Sequence, residues 1–299
     1  MLHSRLNPQQ KRRSLREGLS RGGLLRFPGA FSPLVALMIE RIGFEGVYLS
    51  GAVISADLGL PDIGLTTLGE VSGRSHAIAR TTNLPAIVDI DTGFGEPLNA
   101  ARAVQVLEDL GLCGCHLEDQ RNPKRCGHLD HKQLVPAEEM ERKIRAAVSS
   151  RRDPDFLLIA RTDARASEGI GGVVERCKRY VDAGADALFP EALADRSEFE
   201  RVRSSFDVPL IANMTEFGKS ELMTAGTLRE LGYNIVLYPV TSLRLAMFAV
   251  EAGLRRVAEE GTQADLLAEM QTRSDLYELL DYGSYSEFDR DIFNFDPPG

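Results

Sequence analysis

Short apolar runs alternate with longer amphipathic stretches along this chain, and this rhythm constrains its fold more than any other feature. Each apolar run is bounded by Gly or Pro and is apolar at successive positions, as in a parallel strand covered on both faces. The stretches between the runs carry apolar residues every three or four positions, which is the spacing of an amphipathic helix. The predicted strands cover residues 24–27, 46–49, 86–89, 114–117, 157–161, 187–189, 209–212 and 235–238.

Eight such strand–helix units predict an α/β fold, a closed (β/α)8 barrel of the TIM type. An open, Rossmann-like sheet is the alternative, but it would need a GxGxxG turn after the first strand, where the chain has Arg26-Phe27-Pro28-Gly29-Ala30. A length of 299 residues suits one barrel with surplus helices. We therefore predict a single domain over residues 1–299, with a solvated N-terminal helix at about 8–21 and a C-terminal helical extension at about 262–299.

The charge and the cysteine content exclude several classes of protein. A formal net charge of -9 argues against general binding to nucleic acid or to an anionic membrane, although a local basic pocket stays possible. No apolar run approaches the roughly 18 residues of a transmembrane helix. Four cysteines do not make a disulfide scaffold and suit a reducing compartment. We expect a cytoplasmic protein without nucleic-acid or membrane partners.

Polar residues collect at the C-terminal ends of the predicted strands, where barrel enzymes place their chemistry. The acidic members of this set are Asp89, Asp91, Glu118, Asp119, Asp163 and Glu191. Their mutual repulsion would be costly unless a cation or a basic clamp offsets it. Asp89 and Asp91, with Glu118 from the next strand, suggest Mg²⁺ or Mn²⁺ held mostly through water. The alternative is that the two aspartates only cap the turn at residues 92–93.

Two arginines are candidates for binding an anionic substrate. Arg161 ends the fifth strand and Arg244 follows the eighth. A guanidinium group matches a carboxylate with two parallel hydrogen bonds, so a metal with two arginines indicates a small di- or tricarboxylate or a phosphoryl compound. The alternative is a structural ion pair with Asp163 or Glu191.

The segment after the fourth strand lacks apolar periodicity and places cations beside a thiol. Its residues Lys124 and Arg125 precede Cys126, and His128 follows. Neighbouring cations favour the thiolate, so Cys126 is a candidate acid–base or nucleophilic group, although a single loop cysteine is often incidental. His116, within the fourth strand, is equally consistent with a structural role and with support of a metal ligand.

Several segments resemble those of the isocitrate lyase and phosphoenolpyruvate mutase superfamily. Lys124-Arg125-Cys126-Gly127-His128 is similar to its KKCGH signature, and residues 89–95 are similar to its metal-binding segment. Residues 117–120, 212–218, 237–240 and 270–273 continue the resemblance in order along the chain.

The resemblance implies a Mg²⁺-dependent carbon–carbon lyase that cleaves 2-methylisocitrate to pyruvate and succinate in the methylcitrate cycle of propionate catabolism. It also implies a homotetramer of barrels in which the eighth helix is exchanged between paired subunits. Cys126 would be the catalytic acid–base residue on a mobile lid at about residues 119–133. The metal site would comprise Asp89, Asp91, Asp57 and Glu118. The substrate would be bound by Ser50, Gly51, Ala52, Cys126, Gly127, His128, Arg161, Glu191, Asn213, Thr215, Arg244 and Arg273.

One departure from the family pattern bears on specificity. Members of the superfamily usually carry a run of glycines after the serine, whereas this chain has Ser50-Gly51-Ala52-Val53. The methyl group of Ala52 could narrow the pocket, so lyases of isocitrate or of dimethylmalate stay open as alternatives. A phosphoenolpyruvate mutase-like enzyme is less consistent with Cys126, and a non-catalytic barrel kept for binding would be expected to have lost metal or lid residues.

Overall fold

The chain, described here by a computed structural model, is defined over residues 4–125, 127–128 and 132–294. Its strands begin and end within two residues of the predicted runs because Gly and Pro interrupt the apolar pattern on both sides. They are β1 Leu25–Pro28, β2 Val47–Leu49, β3 Ala86–Asp89, β4 Gly114–Glu118, β5 Leu157–Thr162, β6 Ala187–Pro190, β7 Ile211–Asn213 and β8 Ile235–Tyr238.

The eight strands are parallel and follow one another around a ring. Strands β2 to β6 form one hydrogen-bonded set in sequence order, and β8 lies between β7 and β1 in the other. Parallel bridges at Gly29–Tyr48 and Leu188–Leu210 join the two sets. Because β1 pairs with β8, the ring closes and the open-sheet alternative is excluded. The α/β fold of the TIM-barrel type is confirmed.

Helices follow the strands and cover the outside of the ring. Each buries its apolar stripe against the strands, as the three-to-four-residue spacing predicts. Up to the eighth strand they are α1 Pro8–Ser20, α2 Pro33–Ile42, α3 Gly51–Asp57, α4 Leu68–Ala79, α5 Pro97–Asp109, α6 Ala137–Ser150, α7 Arg165–Asp182, α8 Arg196–Arg203 and α9 Ala225–Glu230.

Helix α1 closes the N-terminal end of the barrel. Asn7 and Gln10 form a capping box at its start, as the Asn-Pro sequence predicts. Leu15 and Leu19 belong to the same apolar cluster as the side chains inside the ring. The guanidinium group of Arg12 is buried, donating to the carbonyl of Leu112 at 2.8 Å. The helix is where the sequence predicts it, but its expected solvated character is wrong, because an open barrel end must be covered.

The C-terminal helices have fewer buried side chains than the other helices. Helix α10, Thr241–Glu260, is the eighth helix of the barrel and has no buried residue. Leu245, Phe248 and Leu254 on it are all more than 60% exposed. A short 3-10 turn, Ala264–Glu269, leads to α11 Arg273–Leu279 and α12 Tyr282–Phe293, and α11 contacts α2. Over the described residues, no helix is long and apolar enough to cross a membrane.

A glycine before β2 limits how the barrel interior can be filled. A Cβ at Gly46 would lie 2.1 Å from Cζ of Phe27, a fully buried ring inside the barrel. Gly46→Ala should therefore lower the free energy of unfolding by about 1–3 kcal/mol through overpacking, measured as a fall in the urea midpoint. Gly23→Ala is the matched control, since its Cβ would meet no atom within 4 Å. Equal midpoints for the two variants would contradict this packing argument.

Candidate active site

Two aspartates converge where β3 ends. Asp89 is the last residue of β3, and Asp91 follows in a left-handed conformation with a φ of 48°. The Asp91 backbone N–H donates to Oδ1 of Asp89 at 3.0 Å, and the Gly51 N–H donates to Oδ2 of Asp89 at 3.1 Å. A Cβ at Gly51 would lie 2.9 Å from Oδ2 of Asp89 and 3.1 Å from Oδ1 of Asp91. Glycine at position 51 thus leaves room for both carboxylates.

Lys124 bridges this pair to a third carboxylate. Its Nζ lies 2.7 Å from Oδ1 of Asp91 and also contacts Asp62, and its side chain is buried. Burial, together with the negative charge of Asp89, raises the pKa of Asp91 to about 6, although Lys124 opposes the shift. Burial disfavours ionisation of Asp89 as well, but nearby His116, Lys124 and Arg161 hold its pKa below the ordinary value.

Arg161 is the central cation of the site. Its Nε and Nη2 donate to the two oxygens of Asp163 at 3.0 and 3.2 Å. The same guanidinium lies 3.2 Å from an oxygen of Glu118 and 3.6 Å from one of Glu191, and stacks at 5.1 Å on the ring of Phe189. The ion pair with Asp163, an alternative left open by the sequence, is therefore present. Arg161 nevertheless lines the central cavity.

Glu118 is surrounded differently from the other acids. It is 1% exposed, and neither of its carboxyl oxygens receives a hydrogen bond from a described residue. Burial raises the pKa of Glu118 well above its ordinary value, despite the proximity of Arg161. A buried carboxyl group without a donor is destabilising, so Glu118, whose described charged neighbour is Arg161 at 3.2 Å, has oxygens that a water molecule or the water of a metal ion could use.

Glu191 gathers the residues that come from β7 and from the loop after β4. Nδ2 of Asn213 donates to both of its oxygens, at 3.1 and 3.2 Å, and Nε2 of His128 lies 2.6 Å from Oε1. Nδ1 of His128 accepts from the Lys219 N–H at 2.9 Å, so the ring proton belongs on Nε2, which faces Oε1 of Glu191. Although burial opposes it, Arg161 and His128 lower the pKa of Glu191.

The loop after β4 is held down over these groups. Nζ of Lys132 donates to Oδ1 of Asp163 at 2.9 Å and to the carbonyl of Gly127. A Cβ at Gly127 would lie 2.4 Å from Nη2 of Arg161. At the root of the loop, the buried carboxylate of Asp119 accepts from the Thr162 hydroxyl and from the Asp163 N–H, at 2.7 and 2.9 Å. The described part of the predicted lid is thus closed onto β5.

A tyrosine–histidine pair lies beneath the aspartates inside the barrel. The Tyr48 hydroxyl is 2.7 Å from Nε2 of His116, which is itself 3.7 Å from Oδ1 of Asp89. Burial lowers the pKa of His116 to about 4, so the ring is neutral near pH 7. Both residues are almost completely buried. Their position supports Asp89 from below, and it accounts for the presence of a histidine within β4.

The cavity enclosed by these groups, here called the central cavity, has a volume of about 50 Å³. Ligand pockets are usually about 300–1,000 Å³, so the central cavity as described is smaller than a typical small-molecule site. Its walls are formed by Tyr48, Ser50, Ala52, Asp62, Asp89, Lys124, Gly127, His128, Arg161, Glu191, Asn213, Thr215, Pro239 and Val240.

Some residues expected in the site lie elsewhere. The carboxylate of Asp57 pairs with Arg74 at 3.1 Å and is partly exposed, and Asp62 instead contacts Lys124. Both aspartates follow β2 in irregular or terminal positions, and no sequence pattern separates them. The predicted acid–base residue, Cys126, lies outside the described residues.

The last two arginines do not line the central cavity. Arg244 lies 3.5 Å from Oε2 of Glu216 and stacks at 5.1 Å on the exposed ring of Phe217. Arg273 is exposed at the first position of α11. Within one chain, therefore, neither guanidinium group joins Arg161.

The acidic oxygens of the site fit a hard divalent cation. Glu118 has two buried oxygens without hydrogen-bond donors, and Oδ1 of Asp91 is buried with only the Lys124 ion pair. No group of three or more His, Cys, Asp or Glu side chains among the described residues is arranged as a closed metal site. An ion that keeps several waters needs only one or two carboxylates, which Asp89 and Asp91 provide.

Comparison with known proteins places this geometry in a family. The model of the family described as phosphoenolpyruvate phosphomutase matches residues 15–258. A probable 2-methylisocitrate lyase 2 of Corynebacterium glutamicum is 56% identical over 99% of this chain and 96% of its own. Other relatives at 40–57% identity are also named 2-methylisocitrate lyase or probable 2-methylisocitrate lyase.

Solved structures agree with the family. A 2,3-dimethylmalate lyase superposes with a TM-score of 0.88 at 29% identity, covering 97% of this chain and 96% of its own. A phosphonopyruvate hydrolase, solved with oxalate and Mg²⁺, has a TM-score of 0.84 at 30% identity and covers 94% of this chain and 98% of its own. The chain therefore belongs to the phosphoenolpyruvate mutase and isocitrate lyase superfamily, whose 2-methylisocitrate lyases include relatives that match it over nearly their whole length.

Proposed function

We propose that this chain is a Mg²⁺-dependent carbon–carbon lyase that cleaves 2-methylisocitrate to pyruvate and succinate. The observation that carries the proposal is the convergence of Asp89 and Arg161 on one buried cavity at the C-terminal end of the barrel. The names of the relatives at 40–57% identity supply the substrate. The reaction belongs to the methylcitrate cycle of propionate catabolism, and we propose that it takes place in the cytoplasm.

Asp89 and Asp91 would bind the metal directly, with Glu118 accepting hydrogen bonds from its water. The phosphonopyruvate hydrolase solved with oxalate and Mg²⁺ supports this choice of ion, and Mn²⁺ is a plausible substitute because it prefers the same oxygen ligands. When bound, Mg²⁺ would coordinate the hydroxyl and carboxylate oxygens of the part of the substrate that leaves as pyruvate and lower the hydroxyl pKa.

Side chains and backbone groups of the protein would bind the carboxylates of the substrate. Ser50 and Ala52 line the cavity on the side of Asp89, where the Ser50 hydroxyl and the backbone at residues 50–52 would bind the pyruvate-derived part. Arg161 and Asn213 face the cavity from the opposite strands and would bind the remaining carboxylates, together with Thr215. A guanidinium already oriented by Asp163 binds a carboxylate without losing side-chain entropy.

In the cleavage the substrate hydroxyl would give its proton to a carboxylate of the site and become the carbonyl of pyruvate, while the electron pair of the broken carbon–carbon bond would stay on the succinate fragment. That carbon then requires a proton. Cys126 follows two basic residues in the sequence and would donate the proton from its Sγ. Arg161, with the cationic groups of the loop, would stabilise the charge before the proton arrives. Lys132 and His128 hold the loop over the cavity, which excludes water from the reacting carbon.

Ala52, Arg244 and Arg273 would determine which substrate the site prefers. The Ala52 methyl group faces the same cavity as Ser50 and reduces the room for a substrate branch. Arg244 would reach a substrate carboxylate after leaving Glu216, and Arg273 would do so in a neighbouring copy. The structural likeness to 2,3-dimethylmalate lyase favours that activity as the second candidate, at 29% identity against 56%.

We also propose that the protein is a homotetramer with exchanged eighth helices. A barrel helix normally buries one face on its own strands, yet α10 has no buried residue. Leu245, Met247, Phe248 and Leu254 leave a large apolar surface on it exposed. Surfaces of this kind mark protein–protein contacts, and a second copy is the occupant that the superfamily resemblance indicates.

Substrate choice and metal dependence can be tested together. We expect EDTA-treated protein to release no pyruvate from 2-methylisocitrate, and Mg²⁺ to restore release. With Mg²⁺, kcat/KM should be at least about tenfold higher for 2-methylisocitrate than for isocitrate, which lacks one methyl group worth about 1–3 kcal/mol in a matched pocket. It should also be at least about tenfold higher than for 2,3-dimethylmalate, in which a methyl group replaces a carboxymethyl group and leaves a cationic contact of the site without its carboxylate. A higher kcat/KM for 2,3-dimethylmalate, or release in EDTA, would contradict the proposal.

The role of Cys126 has a separate test. Cys126→Ser should reduce kcat by at least about a hundredfold, since a hydroxyl is a much weaker acid than a thiol. The Kd for 2-methylisocitrate, measured by calorimetry on the inactive variant, should change by less than about threefold. Cys177→Ala provides a thiol control outside the site, because Cys177 is a buried residue of α7 that does not line the central cavity. Near-normal turnover by Cys126→Ser would remove this residue from the mechanism.

A further inference from the structure

A second cavity, of about 420 Å³, lies outside the central cavity on the far side of Asp91. One wall is the loop that leads into α4, including Leu65 and Thr66, and another is the turn after β3, including Phe94. Arg102 of α5 and Asn122 complete it, and it is here called the Arg102 cavity. Its volume is within the range of small-molecule sites, whereas that of the central cavity in this closed state is not.

Arg102, an exposed residue of α5, gives this cavity a cation. Among the residues that the structure describes, no carboxylate pairs with Arg102 and no acceptor receives its hydrogen bonds. By contrast, Arg152, in the connection after α6, binds both Glu108 and Asp109 at the end of α5. A guanidinium group that lines a cavity without a partner is suited to binding an anion.

Thr66 is a second, independent indication of a ligand. The residue is 6% exposed and lines the cavity, and its hydroxyl has no hydrogen-bond partner in the described part of the chain. Because that oxygen is itself almost inaccessible to solvent, a ligand would reach it only after a small movement of the side chain, and burying it without a partner costs the free protein about 1–3 kcal/mol. Nearby, Nδ2 of Asn122 donates to the Thr92 hydroxyl at 2.9 Å, leaving a second amide hydrogen.

The other residues that line the Arg102 cavity indicate which chemical groups the anion has besides its negative charge. Leu65, Leu68 and Phe94 give the cavity apolar surface. Asp91 forms part of the inner wall, so a second negative charge on the ligand would be repelled. One unpaired guanidinium, an apolar surface and an inner carboxylate together select a ligand with a single negative charge and a short apolar body.

We propose that the Arg102 cavity binds a short-chain monocarboxylate, with its carboxylate on Arg102 and Thr66 and its chain against Leu65 and Phe94. The inference does not depend on the lyase activity proposed above. A ligand here would touch both Asp91 and Asn122, two residues before Lys124, and would therefore lie against the metal turn and the root of the loop at once.

Calorimetry on EDTA-treated protein tests the site, with sodium butyrate as a saturated acid and sodium pyruvate as a 2-oxo acid. Arg102→Gln should weaken binding of the better probe at least tenfold, because it removes a charge-assisted pair. Thr66→Val should weaken binding severalfold without lowering the melting temperature, since the hydroxyl has no partner in the free protein. The controls are Arg142→Gln, an exposed helical arginine, and Thr215→Val, which changes the central cavity instead.

The outcomes separate this site from the central one. Binding that falls in Arg102→Gln and Thr66→Val, but persists in both controls, supports the proposal, and the tighter probe shows which kind of acid is preferred. Binding that survives Arg102→Gln, or that is lost in Thr215→Val, would place the anion elsewhere and overturn it. Failure of both probes to bind at millimolar concentration would overturn it as well.

Discussion

An excess of buried acid at the C-terminal end of the barrel is the constraint on which the rest of this structure depends. Six carboxyl groups face three cationic side chains there. Burial makes each unpaired negative charge expensive, so protons are retained: the pKa of Asp91 rises to about 6, and that of Glu118 rises well above its ordinary value. A divalent cation would allow these carboxyl groups to ionise. The acids are Asp62, Asp89, Asp91, Glu118, Asp163 and Glu191, and the cations are Lys124, Lys132 and Arg161.

The fold brings the buried acidic side chains together, and it also supplies the cations that offset part of their charge. Parallel strands in a ring bring all their carboxyl ends to one mouth, so acids that are distant in sequence become neighbours. Two of the three cations, Lys124 and Lys132, come from the loop after β4 rather than from the barrel. In its described position the loop therefore both neutralises the acids and covers the cavity, which links charge balance to the exclusion of water.

The sequence predicts the barrel well because short, mostly apolar runs alternate with amphipathic stretches, and it predicts Asp89 and Arg161 because strand ends in a barrel must meet. It does not separate Asp62 from Asp57, since both lie in the connection after β2 and only the path of the loop brings one of them to Lys124. The sequence does not single out Tyr48 or Lys132, because each acts through a side chain of another element. Tyr48 contacts His116, and Lys132 contacts Asp163. The contacts expected between the substrate and Arg244 or Arg273 stay predictions. They would need the loop after β4 to be open or a second copy of the chain to be present.

The claim that the acid pair is a metal site is tested most directly by calorimetric titration of the metal-free protein with Mg²⁺. The wild type should bind one Mg²⁺ per chain, Asp91→Asn should bind it at least about tenfold more weakly, and Asp57→Asn should change the affinity little, because the Asp57 carboxylate pairs with Arg74. Proton release should accompany binding at pH 6, because Asp91 must ionise to bind the ion. Equal Mg²⁺ affinity in wild type and Asp91→Asn, or loss of binding in Asp57→Asn alone, would contradict this claim.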